Sequence, residues 1–384
     1  MDKVRLGDIC DVRDGTHDSP KYHDSGYPLV TSKNLSKGFV DFTDCNLISK
    51  EDYDKINSRS KVDVGDILMP MIGTVGNPVI VQIEPEFAIK NVALIKFYKD
   101  SKVSNKYIKV LLESNYFDRT AISKIRGGTQ KFISLNDIRG LEIILPPISK
   151  QLEIVDRIEK VNVLIDTRKE QLEKLNELVK ARFVELFGDP MTNSKGHILK
   201  KYGDLFELNA GGTPSKQKSE YWDNGTISWI GSNMCQNTVI YENDGNYITE
   251  EGLKHSSARM FPVDTVLIAL VGATIGKTGL LKFETTTNQN VLGVRGIRES
   301  GYIPEFIFHY TQGLYQKFLN IGDGGFAMAS KGFISELPVP VVDLALQEQF
   351  TAFVEQTDKS KLEVQKSLEK LELLKKALMQ KYFG

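Results

Sequence analysis

The chain has 384 residues, with 49 Lys plus Arg against 50 Asp plus Glu and 41% hydrophobic residues. That size and balance exclude wholesale disorder, collagen-like repetition and a disulfide scaffold, and they point to two or three globular domains with their own cores. Net charges of +2, −2, −2 and +1 over residues 1–150, 151–190, 191–345 and 346–384 leave no polycationic segment able to hold DNA strongly without regard to sequence.

Cys10, Cys45 and Cys235 form no C-x-x-C pair, the first residues hold no apolar signal core, and no apolar run reaches about 18 residues. A reducing cytoplasm is the expected location.

Residues 1–147 read as a mixed, strand-rich domain. Gly15-Thr16 opens a polar turn with Thr16 as a candidate DNA contact, and there His17 and His23, with Asp18 and Asp24, imitate a metal site. The second half of the chain has only Pro214-Ser215-Lys216-Gln217 there, so solvated loop residues are the better reading. Thr31-Ser32-Lys33-Asn34 follows, with donors and acceptors of the kind that read base edges. Apolar runs at 66–69, 91–95 and 141–145, bounded by Gly, Pro and Asn, predict strands, and the spacing over 106–123 predicts a helix. Gly73-Thr74-Val75-Gly76-Asn77-Pro78 forms a turn between strands, with Thr74 and Asn77 as candidate contacts. In Arg126-Gly127-Gly128-Thr129-Gln130-Lys131-Phe132, matched by Asp323-Gly324-Gly325-Phe326-Ala327-Met328-Ala329-Ser330-Lys331, the glycines let backbone approach closely. Arg126, Gly128, Thr129, Gln130 and Lys131 are the DNA candidates there, an ordinary flexible loop being the even alternative.

Residues 148–188 predict a long helix, because residues 151–187 contain no Pro or Gly and are rich in Leu, Glu, Lys and Gln. Ile158, Ile165, Leu172 and Val179 recur every seven residues, with Val161 and Leu175 alongside, which is a coiled-coil seam. Residues 189–199 are a polar linker, and residues 200–343 read as a second mixed domain with a helix over 304–319. Its candidates are Thr213 and Lys216, then Ser232 and Asn233 in Gly231-Ser232-Asn233-Met234-Cys235-Gln236. Thr274 and Lys277 follow, and Lys331 lies beyond Gly324-Gly325. Val271-Gly272-Ala273-Thr274-Ile275-Gly276-Lys277-Thr278 imitates a phosphate-binding loop, but the first Gly stands one residue too late. A turn between strands is the preferred reading. Residues 344–384 predict a second long helix, with Phe350, Val364, Leu371 and Leu378 in register and Val354, Leu368 and Leu374 flanking.

The halves repeat. Residues 151–188 align without a gap on 347–384, with 11 of 38 positions identical. Gly7-Asp8 matches Gly203-Asp204, Gly15-Thr16 matches Gly212-Thr213, Thr74-Val75-Gly76 matches Thr274-Ile275-Gly276, and Asn91-Val92 matches Asn290-Val291. The fold class is therefore α+β: two repeated strand-rich domains, each followed by a long helix, with pseudo-twofold character. Catalytic signatures are missing. There is no H-E-x-x-H or G-x-S-x-G, and Pro146-Pro147 lies between Leu145 and Ile148 without the Asn or Asp and the aromatic residue of an amino-methyltransferase.

Each domain passes through an apolar strand into Leu145-Pro146-Pro147-Ile148-Ser149-Lys150-Gln151 or Pro340-Val341-Val342-Asp343-Leu344-Ala345-Leu346-Gln347, then into a Leu/Glu/Lys helix. This pattern, over essentially the whole chain, resembles the specificity subunit of a Type I restriction–modification system, the second copy departing at Val342-Asp343 where the first has Pro-Pro. The resemblance implies two target recognition domains reading a bipartite, asymmetric double-stranded DNA sequence. It also implies an antiparallel pair of spacer helices that docks two methyltransferase subunits, with restriction/translocase subunits joining for cleavage. No cofactor or metal belongs to this chain on that reading; S-adenosylmethionine, ATP and Mg2+ are expected on the partners. Composition alone leaves one other class open, a non-catalytic adaptor joining two non-DNA binding modules through a coiled coil.

Overall fold

The computed structural model describes residues 3–72, 75–84, 86–98, 101–122, 132–321 and 328–384. The chain divides into two compact units, residues 1–169 with 366–384, and residues 170–365.

The two units share a topology. In unit 1, Cys10–Asp14, Val92–Phe97, Ile67–Pro70 and Val79–Ile80 form an antiparallel sheet in that order, and Tyr27–Val30 lies between Asn46–Ile48 and Ala88–Ile89 in a second sheet, parallel to the latter. Lys3–Arg5 pairs with Glu142–Ile144, so the start of the domain is tied to its end. Unit 2 repeats this with Glu207–Ala210, Val291–Arg295, Val266–Ala269 and Thr278–Leu281, adding Thr238–Ile240 at the edge. Its second sheet has Ile227–Ile230 parallel to Thr285–Thr287, and Leu199–Lys201 closes on Pro338–Pro340. The central strands are buried on both faces, as their unbroken apolar runs require: Ile67, Leu68 and Met69 are fully buried, as are Val266, Leu267, Ile268 and Ala269.

The predicted domain helices are each split in two, Asn105–Leu112 with Asn115–Ile122 and Pro304–Gly313 with Tyr315–Leu319. Ser104 caps the first with its hydroxyl accepting from the Tyr107 N–H, and the chain turns out of it at Glu113-Ser114, where the Ser114 hydroxyl donates back to the Leu111 carbonyl. The repeated Gly7 and Gly203 also have a reason. A Cβ on Gly7 would press on Arg139, and one on Gly203 would collide with Ser335, so glycine lets the first turn lie against the last short helix of its domain.

The long helices span Ile148–Phe187 and Leu344–Phe383, about 60 Å each at 1.5 Å per residue. Within unit 1, Ile154 and Ile158 from the start of the first helix share a core with Met379 and Phe383 from the end of the second. Arg157 donates to the Tyr382 hydroxyl at 3.3 Å and Arg168 to the Ser367 hydroxyl at 3.1 Å. Within unit 2, Val179, Phe183 and Phe187 share a core with Phe350 and Val354. The paired segments run antiparallel in both units, and each helix starts on one recognition fold and ends in the core of the other's unit.

Ile158, Val161, Ile165 and Val179 of the expected seam are buried, as are Phe350, Val354 and Leu368, while Leu172, Leu175, Val364, Leu371 and Leu378 are half-buried. Leu374 corrects the expectation. It is 46% exposed, and its counterpart Leu178 is 48% exposed, because both sit one helical step off the inward stripe, on the outer face.

Gln151 and Gln347 join each helix to its own domain. Both are fully buried. The Gln151 side-chain carbonyl accepts from the Ser104 N–H at 2.8 Å while its amide donates to the Lys102 and Pro146 carbonyls at 2.9 and 2.8 Å. Gln347 accepts from the Ile303 N–H at 2.8 Å and donates to Val342 at 3.2 Å and Gly301 at 3.5 Å. The missing Pro-Pro therefore changes nothing in this turn: the Pro147 and Asp343 carbonyls both accept the first helical N–H groups, from residues 150 and 151 and from 346 and 347.

His309 lies edge-on to Phe350 with ring centroids 5.2 Å apart, and burial, helped by Lys361, pushes its pKa down from 6.5 to about 3. The folded state keeps it neutral while the unfolded chain takes up a proton below about 6.5, so its contribution is complete above that pH and is lost as the pH falls toward 3. A His309→Gln variant should flatten the stability–pH curve over that window, measured by urea denaturation; an unchanged slope would remove His309 as the cause.

Candidate nucleic-acid interface

In both units, turns that are far apart in sequence converge on one end of the sheets. In unit 1, the strand Tyr27–Val30 runs into a short 3-10 turn, Ser32–Leu35, and the Ser32 hydroxyl donates to the Ile72 carbonyl at 3.4 Å. Ile72 in turn forms a β-bridge with Phe132, and the Ile133 N–H donates to the Met71 carbonyl at 3.0 Å. On the other side, the Lys90 N–H donates to the Val30 carbonyl at 2.9 Å and Lys90 bridges to Thr16. The path Thr16, Lys90, Thr31, Ile72, Phe132 is continuous.

Unit 2 builds the same path from different side chains. Ile227–Ile230 runs into Ser232–Met234, Val271 bridges to Met328, and the Asn288 N–H donates to the Ile230 carbonyl at 3.1 Å. Thr213 donates to the Gln289 side-chain carbonyl. Lys277 donates to the Gln236 side-chain carbonyl at 2.9 Å, and Gln236 donates to the Asn233 carbonyl at 3.0 Å, which ties the two turns together. Asn233 itself reaches Asp244 at 3.4 Å.

The candidates fall out differently along these paths. Lys33, Asn77, Lys216, Asn233 and Lys331 are exposed, while Thr16, Thr213, Ser232, Thr274 and Lys277 are half-buried. Asn77 sits at φ +52, a left-handed position that Asn tolerates, beside Gly76 at φ +102. Asn34 is a correction. It is 3% exposed, its carbonyl accepts from the Thr31 N–H and hydroxyl at 3.0 and 2.9 Å, and its amide donates to the Asp41 carbonyl at 3.0 Å, so the side chain is spent on the turn. Lys331 starts the helix Lys331–Ser335, capped by Ser330, three residues beyond Met328. Thr74, Arg126, Gly128, Thr129, Gln130 and Lys131 lie outside the described residues.

The phosphate-loop imitation is a turn, as expected. Gly272–Thr274 is a single 3-10 turn between strands, with Gly272 and Gly276 at φ +67 and +74, and it leads into Thr278–Leu281 rather than into the helix a phosphate site requires. His17 bonds Asn91 at 2.8 Å and Asp14 at 2.9 Å; the Asn91 bond, then Asp14, raise its pKa above the usual imidazole value against partial burial. No group of three or more His, Cys, Asp and Glu suited to a metal occurs among the described residues.

Several residues of these paths escaped the reading of the sequence. Phe132 and Met328 stand in the two matched Gly-rich segments but not among the candidates, because apolar residues in a polar loop carry no contact signal, and Gln289 is missing because its motif lies one residue further on, at Asn290. The repeat match of Asn91-Val92 with Asn290-Val291 was the available clue.

The comparisons now decide the family. Residues 1–177 and 198–373 match the family model described as Type I restriction modification DNA specificity domain. The chain belongs to that family. A Type I restriction enzyme specificity subunit of Escherichia coli is 27% identical over 165 residues, 41% of this chain and 40% of that one. A putative type I restriction enzyme specificity subunit of Methanocaldococcus jannaschii is 22% identical over 401 aligned positions, 97% of this chain and 90% of that one. The match to the Escherichia coli relative thus spans under half of its length, and the match to the archaeal one nearly all of it.

Two solved structures share the fold over 100% of this chain. The S subunit of a Type I restriction-modification system from M. genitalium matches with TM-score 0.55 at 15% identity over 96% of its length. A chain from the type I R-M system, solved in connection with its complex assembly and conformational transition, matches with TM-score 0.64 at 18% identity over 97% of its length. The specificity-domain family supplies DNA recognition rather than catalysis, and with two family domains the chain is a specificity subunit. The adaptor of non-DNA modules is set aside by the same match. No helix among the described residues is long and apolar enough to cross a membrane.

Proposed function

We propose that this specificity subunit reads a bipartite, asymmetric double-stranded DNA target, one half-site per recognition domain, and carries two adenine-N6 methyltransferase subunits and the restriction/translocase subunits. The observation that supports this best is the matched convergence of turns in both units, where a shared serine, Ser32 or Ser232, is joined by different side chains at corresponding places: Lys33 and Asn77 in one, Asn233 and Lys277 in the other. One scaffold with two sets of donors suits two different half-sites.

Docking is supported by the outer faces of the helices. Leu178 and Leu374, identical across the repeat, are exposed, as are Val163, Leu362 and Leu373, at 63%, 54% and 66%. An apolar side chain held outward at the same place in both repeats, Leu178 and Leu374, suits a pair of like partners. S-adenosylmethionine, ATP and Mg2+ belong to those partners in this proposal, and the cytoplasm is their common location. The chain's formal net charge of −1 leaves most phosphate neutralisation to them as well.

The test is methylation sequencing of genomic DNA from cells with and without this chain, its methyltransferase present in both. N6-methyladenine at a split, asymmetric motif should vanish with the chain; an unchanged methylome would reject the reading. Lys33→Ala should weaken methylation through one half-site and Lys277→Ala through the other, each by roughly 10-fold, within the usual 1–3 kcal/mol for a specific contact. Equal effects of both variants on the same half-site would contradict the domain assignment.

A further inference from the structure

We propose that Phe132 and Met328 are matched apolar DNA contacts, each pressing on base faces or thymine methyl groups within its own half-site. The proposal rests on the half-site reading above and assigns it two specificity-determining residues.

Both residues sit at the same place in the repeat. Phe132 bridges to Ile72 and Met328 to Val271, each partner lying just past the end of a central strand, Ile67–Pro70 or Val266–Ala269. The residue that follows each one points inward: Ile133 is 1% exposed and Ala329 0%. Alternation along extended backbone then sends Phe132 and Met328 outward, and they are 38% and 58% exposed. Their direction is set by the sheet, with the Ile133 and Ala329 N–H groups held by the Met71 and Leu270 carbonyls at 3.0 and 2.9 Å.

Their surroundings are polar. The Ser32 hydroxyl donates to the carbonyl of Ile72, the bridge partner of Phe132, and the Thr274 hydroxyl donates to that of Val271, the bridge partner of Met328, both at 3.4 Å. The two repeats have kept a large apolar side chain here while exchanging its identity, in a region otherwise given to donors and acceptors. A double helix offers partners for both kinds of group: phosphates and base edges for the donors, and stacked faces or methyl groups for the apolar tip. Phe and Met are also among the side chains that wedge between base steps.

The test uses the complex assembled with its methyltransferase subunits and duplexes carrying the methylated motif. 2-Aminopurine is placed in turn at positions of each half-site other than the methylated adenine. Phe132→Ala should weaken binding by about 10-fold, as loss of one stacking contact does, and abolish the fluorescence change at one position of one half-site. Met328→Ala should do the same at the other half-site. Phe132→Trp and Met328→Leu should bind close to wild type, and all four variants should melt with the parent, since both side chains are exposed.

Wild-type affinity and fluorescence in both alanine variants would overturn the proposal, and so would loss of assembly with the methyltransferase, which would make the residues protein contacts. Lys33→Ala and Lys277→Ala on the same duplexes separate the layers. If they lose half-site affinity while the apolar variants do not, the half-site reading stands and this inference fails. If none of the four variants alters binding, both fail.

Discussion

Replacing Gln151 by Leu should cost about 3–5 kcal/mol and loosen the first recognition domain from its helix. The side chain has no exposure, and its three hydrogen bonds run at 2.8 to 2.9 Å to one N–H and two carbonyls of the loops that precede the helix. Leucine fills a similar volume but leaves those three backbone groups buried and unpaired, each a loss of roughly 1–3 kcal/mol that entering water recovers in part. Against a total stability of about 5–15 kcal/mol, that is a large share. Gln347→Leu should cost less, about 2–4 kcal/mol, because its amide bonds are longer, at 3.2 and 3.5 Å.

A second substitution separates hydrogen bonding from shape. Gln151→Glu keeps the outline but points a carboxylate at the Lys102 and Pro146 carbonyls, so it should be worse than Leu at neutral pH and recover as the acid is protonated. Urea denaturation of the three variants checks the ranking. A Gln151→Leu variant within about 1 kcal/mol of wild type would show that water replaces the amide without penalty. The functional signature is selective: Gln151 variants should lose methylation through one half-site first, and Gln347 variants through the other.

The ease of reading differed sharply between helices and loops, and the reason is local information. Residues 151–187 and 347–383 declare themselves because an uninterrupted run of strong helix formers fixes both type and length, and Gly188 at φ +81 ends the first copy in the left-handed position glycine favours. Strand identity at 66–69 and 91–95 was equally plain from apolar runs. The parallel pairing of Tyr27–Val30 with Ala88–Ile89 was not, since it joins segments nearly sixty residues apart with no short turn to announce it.

Side-chain direction was the main loss at the interface. Asn34 looked like a free amide, yet Thr31-x-x-Asn34 has the spacing by which a side chain closes back on the start of a turn, and the structure uses it so. Leu374 looked like part of the seam because heptad counting tolerates a one-step error that a straight helix of 3.6 residues per turn does not. Gln151 and Gln347 stand out in the sequence as the repeated end of the approach to each long helix, which carries the family resemblance but no hydrogen-bonding role. That two buried amides would hold the helices to their domains required knowing which backbone groups come near them.

The two helix ends should also fail unequally when cut. Phe183→Ala should cost about 3–5 kcal/mol and Met379→Ala, its counterpart in the repeat, about 2–4 kcal/mol. Phe183 lies in an aromatic cluster, with ring centroids 4.9 Å from Phe187, 5.2 Å from Phe350, 5.6 Å from Phe306 and 6.3 Å from Tyr310. Removing it opens a cavity between fully buried Phe306 and Phe350, which sit on different helices and cannot both close over it. Met379 shares a core instead with Ile154, Val155 and Ile158 and with the ring pair Tyr107 and Phe383, 5.5 Å apart, and flexible aliphatic neighbours fill a gap better. Hydrogen exchange reads the result by region: Phe183→Ala should lower protection in Val266–Ala269 and Val291–Arg295, and Met379→Ala in Ile67–Pro70 and Val92–Phe97. Equal loss in both sets of strands from either variant would mean that the two units open as one. The crossed anchoring of each helix would then be holding the whole chain in a single cooperative unit.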